Sequence, residues 1–285
     1  LYTEIKAHGK AVGLPEDTDM GNSEVGHNAI GCGRVFDQGA SLIDNAIRSG
    51  LLFKGKIWKK LINNTLSKKS TLHFIGLLSD GKVHSNINHL EAMIEEAKIN
   101  GVKKVRLHLL TDGRDVPPVS ALDYVERIEN FLKIINKNNE LDYCIASGGG
   151  RMKITMDRYN ADWPMIEKGW NTHVKGKGRL FKSMSEAITV YRNENKGILD
   201  QDLPPFVIEK DNKACGSIND HDSVILFNYR GDRALEITKA FEEENLSEFN
   251  RGDKPNVLYA GMMQYDGDLC IPKNFLVSPP ALIKQ

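Results

Sequence analysis

Short apolar runs alternate with amphipathic stretches through most of the sequence that follows Thr71. The apolar runs predict strands at residues 72–78, 105–110, 143–146, 224–227 and 257–261. Between the first three strands, apolar residues recur at helical spacing, first Ile87, Leu90, Ile94 and Ala97, and then Leu122, Val125, Ile128, Leu132 and Ile135. The pattern therefore predicts an α/β fold in which helices flank a sheet.

Polar, glycine-containing loops follow four of these strands. They span residues 79–84, 111–115, 147–151 and 229–233. In open α/β sheets the carboxyl ends of the strands form the ligand crevice, so we expect these loops to converge on one site. Five of the twelve arginines lie in or beside the loops, namely Arg114, Arg151, Arg158, Arg230 and Arg233.

The arginine cluster favours a small anionic ligand. A guanidinium group can bind phosphate or carboxylate through two parallel hydrogen bonds, and it keeps its charge at neutral pH. His84 and Asp115 lie in the same loops, where a histidine can contact a phosphoryl oxygen or transfer a proton and a carboxylate can orient or deprotonate a hydroxyl. The alternative is structural: some arginines would pair with loop aspartates, and His84 would hydrogen-bond its own loop. His73 and His108, inside predicted strands, are interpreted as structural.

Ser23 is the candidate nucleophile. It lies in the segment DMGNSEVGHN at residues 19–28, which has little apolar content to bury. Asn22 can cap a helix whose first N–H groups would face an anion at the serine oxygen. The alternative interpretation is that Ser23 merely begins a helix.

Composition narrows the class of protein. Lys and Arg together number 38, as do Asp and Glu, so no overall charge directs the chain to nucleic acid or to an anionic membrane. No run of about 18 apolar residues and no signal-peptide pattern is present in the sequence. The four cysteines form no Cys-x-x-Cys pair, which favours reduced thiols in a cytoplasmic protein. Because the first residue is Leu1 rather than Met, we expect a fragment of a longer protein.

Separated motifs resemble those of the cofactor-independent phosphoglycerate mutases. Beside the serine segment, they are GLP at 13–15, GCGR at 31–34, LLSDGKVHS at 77–85, LLTDGRDVPP at 109–118, ASGGGRM at 146–152, MDRY at 156–159, FNYRGDRA at 227–234 and YAGMMQYDGDL at 259–269. Their number and their order make a chance match very improbable. The chain is therefore identified as a member of that family.

The resemblance implies an isomerase of glycolysis and gluconeogenesis that interconverts 3-phosphoglycerate and 2-phosphoglycerate through a phosphoserine. It implies that Ser23, His84 and Asp115 are catalytic and that Ser23 also contacts metal. It implies that the substrate is held by His84, Arg114, Asp115, Arg151, Arg158, Arg230 and Arg233. It further implies two Mn²⁺ or similar divalent ions in the full-length enzyme, small-molecule substrates as the partners, and a monomer.

The resemblance also implies a domain division. Residues 1–38 would be a stub of an alkaline-phosphatase-like α/β domain, residues 39–280 the phosphotransferase domain, and residues 281–285 the return to the first domain. Residues 57–70, rich in lysine, are interpreted as a solvated connection. Because most of the family's metal ligands are absent from the chain, we expect the fragment to be inactive alone. The alternatives are a non-catalytic phosphoglycerate-binding module and a related metal-dependent phosphatase or phosphopentomutase.

Overall fold

The computed structural model describes residues 2–35, 37, 39–137 and 140–278. Its helices are α1 (Ser23–Cys32), α2 (Gly39–Arg48), α3 (Leu51–Lys54), α4 (Lys56–Lys68), α5 (Ile87–Ile99), α6 (Ala121–Ile135), α7 (Trp163–His173), α8 (Met184–Glu194) and α9 (Leu235–Glu242). Its strands are β1 (Leu72–Leu78), β2 (Lys104–Thr111), β3 (Asp142–Gly150), β4 (Arg179–Phe181), β5 (Phe206–Lys210), β6 (Lys213–Ala214), β7 (Ser223–Leu226) and β8 (Leu258–Gly261). Every strand and helix predicted from the apolar pattern is present, and the α/β fold is confirmed.

One mixed sheet organises the chain. Its strands follow the order β4-β5-β3-β2-β1-β7-β8, and β6 pairs with β5. β1 runs parallel to both of its neighbours, whereas β5 runs antiparallel to β3. β4, β5 and β6 were not predicted, because they are only 3, 5 and 2 residues long and β5 directly follows two prolines.

The helices cover both faces of the sheet. On one face Phe74 of β1 belongs to a core that α2, α4, α5, α6 and α8 complete. On the other face the next residue, Ile75, packs with α7 and α9. Successive strand residues point to opposite faces, so a strand buried on both sides has no polar–apolar alternation, and β1 is apolar apart from His73.

The expectation of a solvated connection at residues 57–70 is wrong. This stretch is helix α4, and it buries a stripe at helical spacing that consists of Trp58, Leu61, Ile62 and Thr65. The lysines lie outside that stripe and are exposed at the surface. The helix is amphipathic, and its polar composition reflects only its outer face.

β3 is longer than predicted, because Gly148 to Gly150 belong to the strand rather than to a loop. A side chain could not be placed there without rearrangement. A Cβ on Gly148 would lie 2.5 Å from the carbonyl oxygen of Leu109, and one on Gly150 would lie 2.3 Å from that of Gln201. The glycines thus allow close backbone packing up to the point where Arg151 leaves the sheet.

The N-terminal segment packs against the larger part of the chain at a few points. Val12, Leu14 and Val25 form a small apolar cluster of their own, and the Ser41 hydroxyl donates to the carbonyl of Gly13 at 2.9 Å. Residues 281–285, the predicted return to the first domain, lie outside the described residues. None of the helices in the described ranges has the length and apolar character that crossing a membrane requires.

A chain of hydrogen bonds crosses the sheet on its α7 side. It links six buried residues in the order Asp222, His73, His108, Ser147, His173 and Thr155, at distances of 3.1, 3.0, 2.7, 2.8 and 3.0 Å. Burial lowers the pKa of all three histidines, that of His173 to about 3. With neutral rings and an ionised Asp222, every bond can form only if each group donates toward Asp222. The structural interpretation of His73 and His108 agrees with this arrangement.

Candidate functional site

Asp112 connects the loops that follow β1, β2 and β3. Its Oδ2 accepts from the Ser79 hydroxyl at 2.6 Å, and its Oδ1 accepts from the backbone N–H groups of Arg114 and Asp115 at 3.1 Å each. The same Oδ1 accepts from Arg151 Nη1 at 2.7 Å. One buried carboxylate therefore holds three strand-end loops together, in the crevice where the strand pattern places a ligand.

Arg151 occupies the floor of this crevice and is only 1% exposed. Its Nη1 also donates to Asp115 Oδ2, at 2.5 Å. The structural alternative, in which an arginine pairs with a loop aspartate, therefore holds for this side chain. The same pairing fixes the direction of the Asp115 carboxylate, which could not be inferred from the sequence.

Arg230 connects the loop after β7 to the serine segment. Its Nη2 donates to Ser23 Oγ at 3.2 Å, and its Nε lies 3.1 Å from carboxylate oxygens of both Glu24 and Asp232. Ser23 is the first residue of α1, and the side chain of the capping residue Asn22 accepts from two N–H groups of the first turn. Both interpretations of Ser23 are thus compatible: it begins a helix, and its exposed hydroxyl faces an arginine.

His84 lies 3% exposed between the arginines, with its Nδ1 3.7 Å from Asp232 Oδ1. Burial, followed by the charges of nearby arginines, holds the pKa of His84 well below its ordinary value. The ring is therefore neutral at pH 7. It can hydrogen-bond an anion there, but it contributes no positive charge.

The remaining three arginines surround this centre. Arg233 donates from Nη1 to the carbonyl of Met156 at 2.6 Å, and burial together with the charges of Arg151 and Arg158 lowers its pKa. Arg158 is 42% exposed in its side chain, with Nη1 3.9 Å from Asp232 Oδ2. Arg114 is exposed as well. Such crowding of like charges favours the binding of an anion, because an anion relieves the repulsion.

Buried polar atoms without a hydrogen bond are concentrated in the same place. Within the described ranges there are eight such side-chain atoms, and four of them are His84 Nδ1, Arg151 Nε, Arg230 Nε and Asp232 Oδ1. Arg230 Nε and Asp232 Oδ1 still face each other as an ion pair at 3.1 Å. Because buried polar groups are nearly always hydrogen-bonded, His84 Nδ1 and Arg151 Nε are the atoms of this group that point to a site for a polar ligand.

Lys82 explains how the serine segment is tied to the crevice. Its ammonium group lies 2.9 Å from Asp19 Oδ1 and 3.3 Å from Glu16 Oε2, which joins the loop after β1 to the N-terminal segment. Its backbone has φ = 52°, in the left-handed region that favours glycine. Lys82 thus combines two ion pairs of its side chain with a strained backbone conformation.

Three acidic residues of the site were not predicted as functional: Glu24, Asp112 and Asp232. Asp112 had a detectable signal, because an Asp-Gly pair directly after a strand is typical of a side chain that accepts from its own turn. Glu24 and Asp232 had no such signal in the sequence. Both contact Arg230, and Glu24 is distant from Arg230 along the chain.

Comparison with known proteins places the chain among phosphoglycerate mutases. A family model described as the BPG-independent PGAM N-terminus matches residues 43–267. A probable 2,3-bisphosphoglycerate-independent phosphoglycerate mutase of Leptospira interrogans is 59% identical over 278 residues, which are 98% of this chain and 50% of that protein. The corresponding mutase of Trypanosoma brucei is 52% identical over 284 residues, 99% of this chain and 51% of that protein.

A solved structure shows the same architecture. Leishmania mexicana phosphoglycerate mutase, crystallised at low cobalt concentration, matches with a TM-score of 0.96 and 52% identity, over 98% of this chain and 51% of that one. The chain thus spans about half the length of the curated relatives that it matches.

Proposed function

The chain belongs to the family of BPG-independent phosphoglycerate mutases, and we propose that it forms the substrate-binding half of an enzyme that interconverts 3-phosphoglycerate and 2-phosphoglycerate. The observation that carries the proposal is the crevice itself: four strand-end loops bring arginines together, and one of these, Arg230, contacts Ser23. We further propose a phosphoserine at Ser23, a monomeric full-length enzyme, and a cytoplasmic place in glycolysis.

The substrate carries a phosphate and a carboxylate, and the crevice offers a partner for each. Arg114 and Arg158 present guanidinium groups at its rim, whereas the side chains of Arg230 and Arg233 lie deeper. Each charge-assisted contact contributes about 1.5–3 kcal/mol before the cost of immobilising the ligand. Arg151 keeps its pairing with Asp115 and so acts through that carboxylate.

The proposed transfer runs in two steps. Ser23 Oγ attacks the phosphorus, the bond from phosphorus to the 3-oxygen of the substrate breaks, and the serine proton ends on that oxygen. After the glycerate has reoriented, its 2-oxygen attacks the phosphoserine, the bond from phosphorus to Ser23 Oγ breaks, and Oγ takes up the proton that the 2-hydroxyl has lost. Asp115 takes the proton of the 2-hydroxyl, and neutral His84 donates a hydrogen bond to a phosphoryl oxygen.

The resemblance implies two divalent ions, manganese in our proposal, which would neutralise phosphoryl charge and activate the serine when bound. No group of three or more His, Cys, Asp or Glu within the described ranges could hold a metal ion. The His, Cys, Asp and Glu side chains of the described residues therefore do not fit a two-metal site. The steps above rest on the residues of this chain alone.

Binding measurements test the proposal. We expect isothermal titration calorimetry to show weak but measurable binding of 2- or 3-phosphoglycerate by this chain without added metal. Arg230→Ala should weaken binding about ten- to hundredfold, which corresponds to the loss of one contact. Arg151→Ala should weaken binding as well, because Asp112 and Asp115 lose the guanidinium group that orients them. Arg179→Ala is the matched control, because Arg179 lies on β4 and pairs with Glu194.

Equal losses in all three variants, or binding that none of them changes, would show that the site is elsewhere. The non-catalytic binding module predicts the same binding but no phosphoserine. It would be supported if the full-length protein, incubated with 3-phosphoglycerate and manganese, carried no phosphate on Ser23 and produced no 2-phosphoglycerate.

A further inference from the structure

Two cysteines lie in contact at the end of the sheet opposite to the crevice. Cys144 is the third residue of β3, whereas Arg151 follows the last one. Cys215 directly follows β6, and the two Sγ atoms are 3.7 Å apart although 71 positions separate the residues in sequence. Both are free thiols, and both residues are partly exposed.

One arginine, itself paired with a carboxylate, lies beside the two cysteines. Arg106 is buried and donates from Nε to the carbonyl of Cys215 at 2.7 Å, while its Nη2 pairs with Asp142 at 2.5 Å. The hydrogen bond from Cys144, assisted by the charge of Arg106 and opposed by burial, lowers the pKa of the Cys215 thiol. The pKa of Cys144 is raised instead. A partly exposed thiol of lowered pKa beside a second thiol is the arrangement found in oxidation-sensitive cysteine pairs.

We propose that Cys144 and Cys215 form a reversible intramolecular disulfide when the protein meets a peroxide. The Cys215 thiolate attacks one peroxide oxygen, the O–O bond breaks, and a sulfenic acid and one water result once a proton is taken up. The Cys144 sulfur then attacks the sulfenic sulfur, the S–O bond breaks, and a second water leaves with the Cys144 proton. Two thiols and one hydrogen peroxide thus give one disulfide and two waters.

Closure requires only a small movement. A disulfide bond is about 2.05 Å long, so the sulfur atoms must approach by about 1.7 Å. Cys144 is held in a central strand, whereas Cys215 lies just beyond a two-residue strand at the sheet edge. The movement that brings the two sulfur atoms together would therefore be made by residue 215 and its neighbours. The bond would fasten the β5–β6 hairpin to β3 without touching the crevice.

The test is peroxide oxidation of the folded chain, followed by thiol titration and peptide mass spectrometry. We expect two of the four thiols to be lost, a crosslinked peptide that contains residues 144 and 215, and full recovery with dithiothreitol. Cys32→Ser and Cys270→Ser, which replace the exposed cysteines, are the matched controls and should leave the crosslink intact. In Cys144→Ser, dimedone should label Cys215.

Two results would overturn the proposal. One is a crosslink that appears only between molecules, through Cys32 or Cys270. The other is survival of both Cys144 and Cys215 as free thiols while the exposed cysteines are oxidised. Circular dichroism of each variant verifies that it is folded, and the outcome is independent of whether the crevice binds phosphoglycerate.

Discussion

The buried histidine chain makes the stability of the protein depend steeply on pH, and His173 offers the sharpest test. Its pKa is about 3 in the folded chain because of burial, against about 6.5 when unfolded. The unfolded chain therefore binds one more proton at this residue as the pH falls below 6.5. Stability that is fully present above pH 6.5 is progressively lost on acidification toward pH 3.

The magnitude follows from the two pKa values. At about pH 5.5, one unit below the unfolded value, this residue lowers the free energy of unfolding by about 1.4 kcal/mol relative to pH 7.5, and by about 2.7 kcal/mol at pH 4.5. In His173→Asn the amide can still donate to Ser147, but it cannot take up the proton. The variant should be less stable than the parent at pH 7.5, and the difference should shrink by these amounts as the pH falls.

Urea unfolding followed by circular dichroism at a series of pH values measures this difference. Groups far from residue 173 titrate in both proteins and cancel in the comparison, whereas His108, which is linked to His173 through Ser147, does not cancel. His8→Asn, a substitution at an exposed histidine, is the control and should run parallel to the parent protein. Parallel curves for His173→Asn as well would refute the reasoning, because His173 would then carry the same proton in the folded and unfolded chains.

Three further predictions concern the catalytic and structural roles of other parts of the chain. We expect no isomerisation of phosphoglycerate by this chain with added manganese, and turnover that Ser23→Ala abolishes in a pure sample would contradict that. Limited proteolysis should cut first within residues 2–35, and early cuts confined to residues 39–278 would count against an independently folding larger domain. Because Trp58 is fully buried, Trp58→Ala should lower the free energy of unfolding by about 3–5 kcal/mol in urea titrations. Lys59→Ala, on the outer face of α4, should change it by less than about 0.5 kcal/mol. Similar losses in the two variants would show that α4 does not pack as described.

The main elements and the position of the crevice followed from the sequence because both depend on short-range patterns. β1 is a run of residues that is apolar apart from His73, and α6 has apolar residues at regular helical spacing. The convergence of the loops then follows from strand direction alone. Helix α4 was not predicted, because its many lysines make the segment polar on average. Its buried apolar stripe stabilises a helix only when it packs against the sheet.

The details of the site depended on pairings between distant residues. Arg230 contacts Ser23 across 207 positions, and no local pattern indicates such a partner. In the same way, the pairing of Arg151 with Asp112 and Asp115 divides the arginines into those that face a ligand and one that orients a carboxylate. Charge and spacing could identify the set of residues, but only the fold assigns each of them its neighbour.

Asp112 also constrains how this site can change over evolutionary time. Since hydrogen bonds from three loops end on a single carboxylate, an insertion or a shift in any one of these loops disturbs the other two. Variation is tolerated more readily at the rim, where Arg114 is exposed, the side chain of Arg158 is 42% exposed, and a substitution leaves the floor in place. A descendant that accepts a different ligand would therefore arise by exchange of rim residues around an unchanged floor.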